Sequence, residues 1–434
     1  MALTDARPIV TRRIGVPNSW TLQSYLDTGG YAGLRKALTM KPEDVASEVI
    51  TASLLGRGGA GFEAGKKWSM LGKGRPAYLV VNGDESEPAT FKDHMLIEND
   101  PHQIIEGTLI CAYAVGAAQA FIFVRGEFAL GLERMTAALN EAYAHGAAGR
   151  NILGSDFSLD VVVHPGAGAY ICGEETALIE SLEGKRGFPR IKPPFFPAAI
   201  GLYGQPTIVN NVETVSNLPW IVEHGGSSFA ALGEGRSAGT RIFSLSGHVN
   251  RPGNYEVEMN KVTFRDLIEH PELGGGMRNG NQLKAFIPGG ASAPWFGPDQ
   301  VDMPLDQDAV GKAGSMLGSG SVIVMDDTTC MVRAAWRITR FFHRESCGQC
   351  TPCREGSGWV DKVMRRIEDG GGREADLDLL FDVLDNIAPG LSWPPRQTTI
   401  CVLGPSIPSS ITSAIRMFRD EFLTHIKEGA CPYG

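Results

Sequence analysis

The sequence predicts an α/β protein built from three successive parts, and changes of pattern along its 434 residues predict it. In the first part, strand-like apolar runs alternate with helix-like runs, which is typical of a largely parallel sheet flanked by helices. A hairpin-like segment follows, and the remainder is helical with short connections. A chain of this length usually divides into several domains. We predict domains at residues 1–235, 236–327 and 328–434.

The first part contains three segments that predict strands: AYLVVN, AFIFVR and LDVVVHP. Helix-like segments such as LGLERMTAALNEAYAH lie between them. The apolar run GTLICAYAVGAAQAFIFV, residues 107–124, falls short of the roughly 20 apolar residues that a membrane span requires. We therefore predict a buried helix that leads into a strand. Any contact with a membrane would then come only through partner proteins.

The second and third parts differ in their periodicity. TRIFSLSGHVNRPGNYEVEM carries turn residues at 250–253 between two strand-like runs, and the helix-like segment VTFRDLIEH follows it. Four segments near the C-terminus have helical periodicity: MVRAAWRITRFFHRESC, GWVDKVMRRIEDG, ADLDLLFDVLDNI and ITSAIRMFRDEFLTHI. Their short connections indicate a helical bundle.

Charge and cysteine usage exclude several classes of protein. Forty basic residues against forty-nine acidic ones give a net charge of -9, which argues against a nucleic-acid-binding protein. The N-terminal residues lack the apolar core of a secretory signal, so we expect a cytoplasmic protein. Three of the eight cysteines fall within seven residues. In the cytoplasm such clustering indicates a metal or redox centre.

Cys347, Cys350 and Cys353 are separated by two residues each in the segment ESCGQCTPCREG. Three thiolates at this spacing can ligate one iron–sulfur cubane. Tetrahedral zinc is the alternative metal, because four thiolates suit it equally well. Zinc sites more often pair two separate two-cysteine motifs, so the run of three favours a [4Fe-4S] cluster.

A cubane held by three nearby cysteines needs a fourth ligand from elsewhere in the chain. The candidates are Cys330, Cys401 and Cys431. We favour Cys401, because its segment TTICVLGP follows a proline-rich turn and can fold back over a helical site. The other four isolated cysteines are predicted to be ordinary small apolar residues; these are Cys111, Cys172, Cys330 and Cys431.

A glycine-rich segment, GRGGAGFEAGKKW, matches G-x-G-x-x-G from Gly56 to Gly61. The preceding segment PEDVASEVITASLL predicts a helix instead of a strand, which argues against an ordinary Rossmann fingerprint. Glycines nevertheless let backbone N–H groups approach phosphates and flat rings, and Lys66 or Lys67 can supply positive charge. A surface loop without a ligand is the alternative.

Acidic residues follow the strand AYLVVN in the segment NGDESEP, at the strand end where open α/β sheets place ligands. Carboxylates there can accept hydrogen bonds from ribose or ribityl hydroxyls, and they would repel a 2′-phosphate, which favours NADH over NADPH. A solvated acidic loop or a divalent-cation site is the alternative. The segments GAGAYICGEET and NNVET add two more loops, and together the loops predict a cradle for a flavin beside a nicotinamide.

These motifs, with KPPF and TICVLG, occur in an order that closely resembles the F-type, NADH-binding flavoprotein subunit of bacterial respiratory complex I (NADH-quinone oxidoreductase). The similarity extends over nearly the whole chain. It implies a Rossmann-like flavin and NADH domain, a ubiquitin-like β-grasp domain and a C-terminal helical bundle bearing an iron–sulfur cluster. The family's fourth cluster ligand lies in a segment similar to that of Cys401.

The resemblance also implies a set of cofactor contacts. Adenine would stack on Phe62 and on Phe195 or Phe196, since KPPFFPA stands where the family has KPPFPA, and Glu87 would lie near the adenosine ribose. The FMN and NADH residues so implied are Gly56, Arg57, Gly58, Gly59, Gly61, Phe62, Lys67, Asn82, Asp84, Glu85, Glu87, Tyr170, Gly173, Glu174, Glu175, Lys192, Phe195, Asn210, Asn211 and Thr214.

The function implied is hydride transfer from NADH to FMN, followed by single-electron transfer to a [4Fe-4S] cluster and through partner subunits towards quinone. A flavin suits this task because NADH gives two electrons together, whereas a cluster accepts one at a time. The implied partners are a thioredoxin-like [2Fe-2S] subunit and a large iron–sulfur subunit, at the cytoplasmic face of the inner membrane. The alternatives are the diaphorase subunit of a soluble NAD-linked hydrogenase or formate dehydrogenase, and a redox-silent scaffold.

Overall fold

The first part of the chain forms a four-stranded, fully parallel sheet in a computed structural model that describes residues 8–433. The strand order is β3-β2-β1-β4. The strands are β1 (Ala77–Gly83), β2 (Ala117–Val124), β3 (Asp160–Pro165) and β4 (Thr207–Asn211). The sequence predicted the first three. It did not predict β4, because this strand has only two β-branched apolar residues before its amides.

Helices cover this sheet and precede it. Those before residue 235 are α1 (Leu22–Asp27), α2 (Ala32–Ala37), α3 (Pro42–Thr51), α4 (Ala64–Ser69), α5 (Asp93–Asn99), α6 (Pro101–Val115), α7 (Ala129–Ala144), α8 (Glu175–Leu182), α9 (Val212–Ser216), α10 (Leu218–His224) and α11 (Gly226–Ala230).

The apolar run 107–124 is a buried helix followed by a strand, as predicted: α6 leads directly into β2. The helix begins where Asp100 accepts a hydrogen bond from the backbone N–H of Gln103, and proline is well tolerated at its first position. It ends at Gly116, whose φ of 65° suits glycine. Nowhere in residues 8–433 is a helix both long and apolar enough to cross a bilayer.

The second part is a mixed sheet with the order β6-β5-β8-β7. Its central pair, β5 and β8, is parallel and both outer pairs are antiparallel, which is the expected β-grasp arrangement. The predicted hairpin and the helix after it are confirmed as β5, β6 and α12. The elements are β5 (Thr240–Gly247), β6 (Gly253–Glu258), α12 (Phe264–Glu269), β7 (Leu283–Ile287), α13 (Gln307–Lys312) and β8 (Ser321–Asp326).

The third part is the predicted helical bundle, with one difference. Its last predicted helix is two helices that meet at Phe418, and the first of them begins at Leu403, eight residues before the predicted start. Two prolines lie in this added stretch. Pro405 is in the first turn, where proline is tolerated, whereas Pro408 is inside the helix and removes one backbone N–H donor there. The helices are α14 (Met331–Glu345), α15 (Thr351–Glu368), α16 (Ala375–Ile387), α17 (Leu403–Met417) and α18 (Arg419–Glu428).

The two faces of the parallel sheet belong to different cores. On one face Leu79, Val81 and Ile122 pack with the helices of the first part. On the other face Val80 and Phe123 join a core shared with the second part and the bundle. The carboxyl ends of β1, β2 and β4 therefore meet loops from all three parts, and this meeting place contains the candidate site.

Candidate functional site

The glycine-rich loop connects α3 to α4 and reverses the direction of the chain in a tight turn. The backbone N–H of Gly56 donates to the carbonyl of Phe62 at 2.9 Å, which closes the loop. A Cβ added to Gly58 would lie 3.1 Å from Cβ of Asn211, so the glycine allows the loop to approach the end of β4 closely. Gly61, with a φ of 62°, requires a left-handed backbone. The predicted helix before the loop is α3, so this is not a strand–loop–helix fingerprint.

Arg57 ties this loop to the rest of the molecule from a fully buried position. Its backbone N–H donates to Oγ1 of Thr214 at 2.9 Å, and Nη2 donates to the carbonyls of Ala238 and Thr240 at 3.2 and 2.7 Å. Burial lowers the pKa of the guanidinium to about 10. Among the described residues, Nε and Nη1 have no hydrogen-bond partner.

The end of β1 presents one unpaired acceptor. Asn82 links two loops, donating through Nδ2 to the carbonyl of Gly173 at 2.8 Å and accepting from the N–H of Asp84 at 3.0 Å. Asp84 is buried, and its Oδ2 accepts from Ser86 at 2.8 Å. Its Oδ1 has no partner within the described chain. Burial raises the pKa of Asp84 to about 7. Because Oδ1 is buried without a hydrogen-bond partner in the part of the chain that is described, a ligand hydroxyl that donates to it would satisfy this oxygen.

Glu85 is turned towards the N-terminus of α5. Its carboxylate accepts from the backbone N–H groups of Asp93 and His94 at 2.7 and 3.0 Å and lies 2.8 Å from Nδ1 of His94. Burial alone would raise the pKa of Glu85, but the hydrogen bonds and the nearby Lys92 hold this pKa below its ordinary value. Glu85 therefore shapes the loop and is not a free ligand-binding group.

Glu87 is held by one residue of the first part, Tyr170, and by one of the second part, Ser292. Its Oε2 accepts from the hydroxyl of Tyr170 at 2.6 Å, and its Oε1 accepts from the N–H and Oγ of Ser292 at 2.8 and 2.7 Å. Burial raises the pKa of Glu87. Sequence reasoning missed Ser292, which follows β7. The sequence feature that could have pointed to Ser292 is the pair of glycines just before it, at the end of β7. A Cβ on Gly290 would lie 2.7 Å from Cγ of Glu87, so glycine is needed for this loop to approach Glu87.

The loop before α8 carries a compact ion group. Glu174 accepts from the N–H groups of Thr176 and Ala177 at 2.9 and 3.0 Å and so caps the helix. Lys192 reaches back to Glu174 and Glu175, with Nζ–Oε1 distances of 2.8 and 3.1 Å. The structure thus brings three predicted site residues together, although they lie up to 18 residues apart.

The end of β4 supplies the third loop. Asn211 accepts from the N–H of Glu213 at 2.9 Å, capping α9, and its Nδ2 donates to Asp93 at 2.6 Å. Asn210 donates to Sγ of Cys111 at 3.4 Å. Lys67 donates to the carbonyl that precedes Asn210 at 3.1 Å, whereas Lys66 lies on the surface and pairs with an acidic neighbour. Of the two lysines, Lys67 is therefore the one beside the cradle.

Three aromatic rings stand exposed where the sequence predicted adenine stacking. Phe62, Phe195 and Phe196 are 42%, 39% and 51% exposed. Large apolar rings at the surface are available to stack on a planar ligand. Both Phe195 and Phe196 are accessible to such a ligand.

The four predicted cluster cysteines line a single pocket: Cys347, Cys350, Cys353 and Cys401. The first two lie in the loop between α14 and α15, the third in the first turn of α15, and the fourth just before α17. Burial raises the pKa of Cys353 to about 11 and that of Cys401 to about 12, so a bound cation is required to keep these thiols ionised. The donor set suits a [4Fe-4S] cluster.

One short turn, Tyr170–Gly173, separates this pocket from the loops at the strand ends. Tyr170 faces the loops through its bond to Glu87, and its ring meets Phe341 edge-on with centroids 5.0 Å apart. The next residue, Ile171, lines the pocket of the four thiols. The two candidate sites are thus neighbours on either side of one turn.

Three family models match this chain, in the order of its three parts. The Nuo51 FMN-binding domain matches residues 49–220, the SLBB domain matches residues 242–295, and the NADH-ubiquinone oxidoreductase-F iron-sulfur binding region matches residues 333–425. The loops at the strand ends lie within the first and the second match, and the four thiols lie within the third.

Curated relatives match over almost the full chain. The F-type subunit of the NADH-quinone oxidoreductase of Mycobacterium tuberculosis is 49% identical, covering 99% of this chain and 96% of that protein. The second such F-type protein of Rhizobium meliloti is 48% identical, with coverages of 98% and 99%. Among solved structures, an NAD+-reducing [NiFe]-hydrogenase in its air-oxidized state has a TM-score of 0.80 at 32% identity over 93% of this chain. The match spans 66% of that hydrogenase chain.

Proposed function

Since this chain belongs to the family of F-type NADH-quinone oxidoreductase subunits, a family with FMN and [4Fe-4S] cofactors, we propose that it oxidises NADH and sends the electrons singly towards quinone. Bound FMN would supply the exchange between a two-electron hydride donor and a one-electron acceptor. The chain's own residues would bind and orient the reactants and exclude water from them.

The observation that carries this proposal is the shared turn Tyr170–Gly173. One side of the turn contacts Glu87 at the predicted nucleotide loops, and the other side lines the thiol pocket through Ile171. Electron transfer between a flavin and a cluster requires them to be close, and a single turn of backbone between two sites meets that requirement.

We propose that the strand-end loops hold FMN and NADH. Their fit rests on the close approach allowed by Gly58 and on the unpaired, buried Oδ1 of Asp84. Glu87 would orient the adenosine ribose and repel a 2′-phosphate. The residues assigned to this role are the twenty implied by the resemblance, with Glu85, Asn211 and Thr214 acting by positioning the loops.

We further propose that the cluster ligands are Cys347, Cys350, Cys353 and Cys401, the cysteines of the thiol pocket. Electrons would enter this pocket past Tyr170 and Phe341. The domain boundaries proposed from the sequence fall in connections, between α11 and β5 and between β8 and α14.

As a member of this family the chain works with partner subunits in a complex. We propose that they include a thioredoxin-like [2Fe-2S] subunit and a large iron–sulfur subunit, at the cytoplasmic face of the inner membrane. A diaphorase role beside a hydrogenase is the second candidate, and the solved hydrogenase structures favour it. The higher identity of the F-type relatives supports the first. Co-purifying quinone-reductase or hydrogenase subunits would distinguish the two.

The variant Cys350→Ala tests the cluster assignment. Removing one thiolate should abolish the low-temperature EPR signal of the cluster in NADH-reduced protein, while visible flavin absorbance and NADH-dependent ferricyanide reduction persist. Cys111→Ala removes a buried cysteine that does not line the thiol pocket but accepts a hydrogen bond from Asn210 of the cradle. It is the control for the cluster signal alone, which it should keep. An unchanged cluster signal in Cys350→Ala would refute the ligand set.

A further inference from the structure

Four residues outside the thiol pocket converge at the other end of the bundle. Cys330 precedes α14, Glu368 ends α15, His425 lies in α18, and Cys431 lies in the segment after α18. One ligand atom from each lies within 4.8 Å of the others. The first three side chains are buried and Cys431 is half-buried. The sequence predicted Cys330 and Cys431 to be ordinary small apolar residues, because each is a lone cysteine in its segment.

We propose that these four residues bind one metal ion, best suited to zinc, that is separate from the cluster. Sulfur, imidazole and carboxylate ligands in a group of four match closed tetrahedral zinc sites. The set is mixed and compact, whereas iron–sulfur cubanes take cysteine thiolates around a larger core.

The distances within the group agree with a tetrahedron around one ion. Sγ of Cys330 lies 3.3 Å from Nε2 of His425 and 3.8 Å from Oε2 of Glu368, and those two atoms are 3.7 Å apart. Zinc bonds of about 2.3 Å to sulfur and about 2.0–2.2 Å to nitrogen and oxygen imply ligand-to-ligand distances of roughly 3.4–3.6 Å for these pairs. Hydrogen bonds of the Cys330 thiol account for the first two contacts. They do not account for the third, since 3.7 Å is too long for a nitrogen–oxygen hydrogen bond between His425 and Glu368.

Neighbouring groups orient each ligand towards the shared centre. Nδ1 of His425 is 2.8 Å from the carbonyl of Glu421, so Nδ1 carries the proton and Nε2 offers its lone pair. Arg333 pairs with Oε1 of Glu368 and leaves Oε2 facing the group. The backbone N–H of Arg333 also donates to Sγ of Cys330 at 3.2 Å, which favours the thiolate.

Such an ion would be structural. It would join the start of α14, the end of α15 and the last turn of α18 to the C-terminal segment. With four protein ligands, it would have no open position for a substrate. The established cofactors lie elsewhere, because none of the four residues lines the thiol pocket.

The test measures zinc and iron together by elemental mass spectrometry in the full chain with its flavin, its cluster and any subunits that co-purify, after dialysis against a chelator. We expect about one zinc per chain in the unmodified protein. Cys431→Ser should lower zinc at least tenfold and leave iron and flavin unchanged. Residue 431 follows the last helix, so this change disturbs the bundle least. The matched control is His224→Ala, which alters an exposed histidine and should keep the zinc.

X-ray absorption at the zinc edge of the unmodified protein gives an independent reading that needs no variant. We expect two sulfur neighbours at about 2.3 Å and two nitrogen or oxygen neighbours at about 2.0–2.2 Å. Three results would overturn the proposal: zinc absent from protein that holds its full iron content, zinc retained by Cys431→Ser, or a disulfide between Cys330 and Cys431 found by mass spectrometry of alkylated protein.

Discussion

Side chains around the cradle divide into those that hold the loops and those left for a ligand. Glu85 and Asn211 accept hydrogen bonds from backbone N–H groups at the N-termini of α5 and α9, whereas Oδ1 of Asp84 has no partner in the described chain. The sequence assigned all three to cofactor binding. It could not separate them, because the groups that occupy Glu85 and Asn211 become their neighbours only on folding.

Glu87→Gln should relax the rejection of NADPH. The substitution removes a negative charge beside the predicted ribose position and keeps an oxygen for Ser292 to bond. We expect kcat/KM for NADPH to rise about tenfold, equivalent to about 1.4 kcal/mol, with a smaller change for NADH. The control is Glu133→Gln, an exposed position on α7. Unchanged NADPH kinetics in Glu87→Gln would place this carboxylate away from the ribose.

The pair formed by Glu85 and His94 should stabilise the fold most at mildly acidic pH. The pKa of Glu85 lies below its ordinary 4.5, so its contribution is present above that value and is lost as the pH falls through the lowered pKa. The bond to Glu85 raises the pKa of His94 above its ordinary 6.5, so this contribution is complete below 6.5 and is lost as the pH rises through the raised pKa.

His94→Gln therefore should lower the free energy of unfolding by on the order of 1 kcal/mol near pH 5.5, with a difference that shrinks towards pH 9. Thermal unfolding of both proteins across this range measures it, and His224→Gln, at an exposed position, is the control. A difference that stays constant with pH would show that the ion pair contributes nothing.

Among the elements, the position of α9 depends on its contact with α6. A Cβ added to Gly107, inside α6, would lie 2.0 Å from the carbonyl oxygen of Val215 in α9. Backbone on both sides leaves no side chain to move aside, so the helices would have to separate. Because α9 directly follows Asn210 and Asn211, its displacement would also move a loop of the cradle.

Gly107→Ala should thus destabilise the chain by about 2–3 kcal/mol or more and weaken flavin retention. The measurements are the thermal midpoint and the flavin content after gel filtration. Gly311→Ala is the matched control, since Gly311 also lies in a helix but has nothing near its missing Cβ. There alanine should be neutral or stabilising by up to about 1 kcal/mol. Equal behaviour of the two variants would contradict this account.

Across the whole molecule, the site is an assembly of three parts. The first part supplies the strand-end loops, the β-grasp part supplies Ser292 to Glu87, and the bundle supplies Phe341 and the four thiols. No part contains the complete arrangement, so contacts between the parts should affect NADH oxidation directly.

Ser292→Ala tests this dependence. It removes the hydroxyl that donates to Glu87 at 2.7 Å and keeps the backbone donor. Hydrogen bonds to charged groups contribute about 1.5–3 kcal/mol, so we expect KM for NADH to rise roughly tenfold while flavin content is unchanged. Ser228→Ala, an exposed serine on α11, is the control and should behave as the unmodified protein does. Unaltered NADH kinetics in Ser292→Ala would mean that the β-grasp part does not position Glu87.

Local spacing in the chain was enough to predict the strands β1 to β3, the hairpin, the buried helix α6, the order of the three parts and the cysteine run at 347–353. Apolar periodicity and ligand spacing are properties of neighbouring residues, so they can be read without the fold. Which distant residues meet depends instead on the packing of whole elements. That packing joined Ser292 to Glu87 and brought Cys330 beside His425, because contacts across such separations form only when the elements come together.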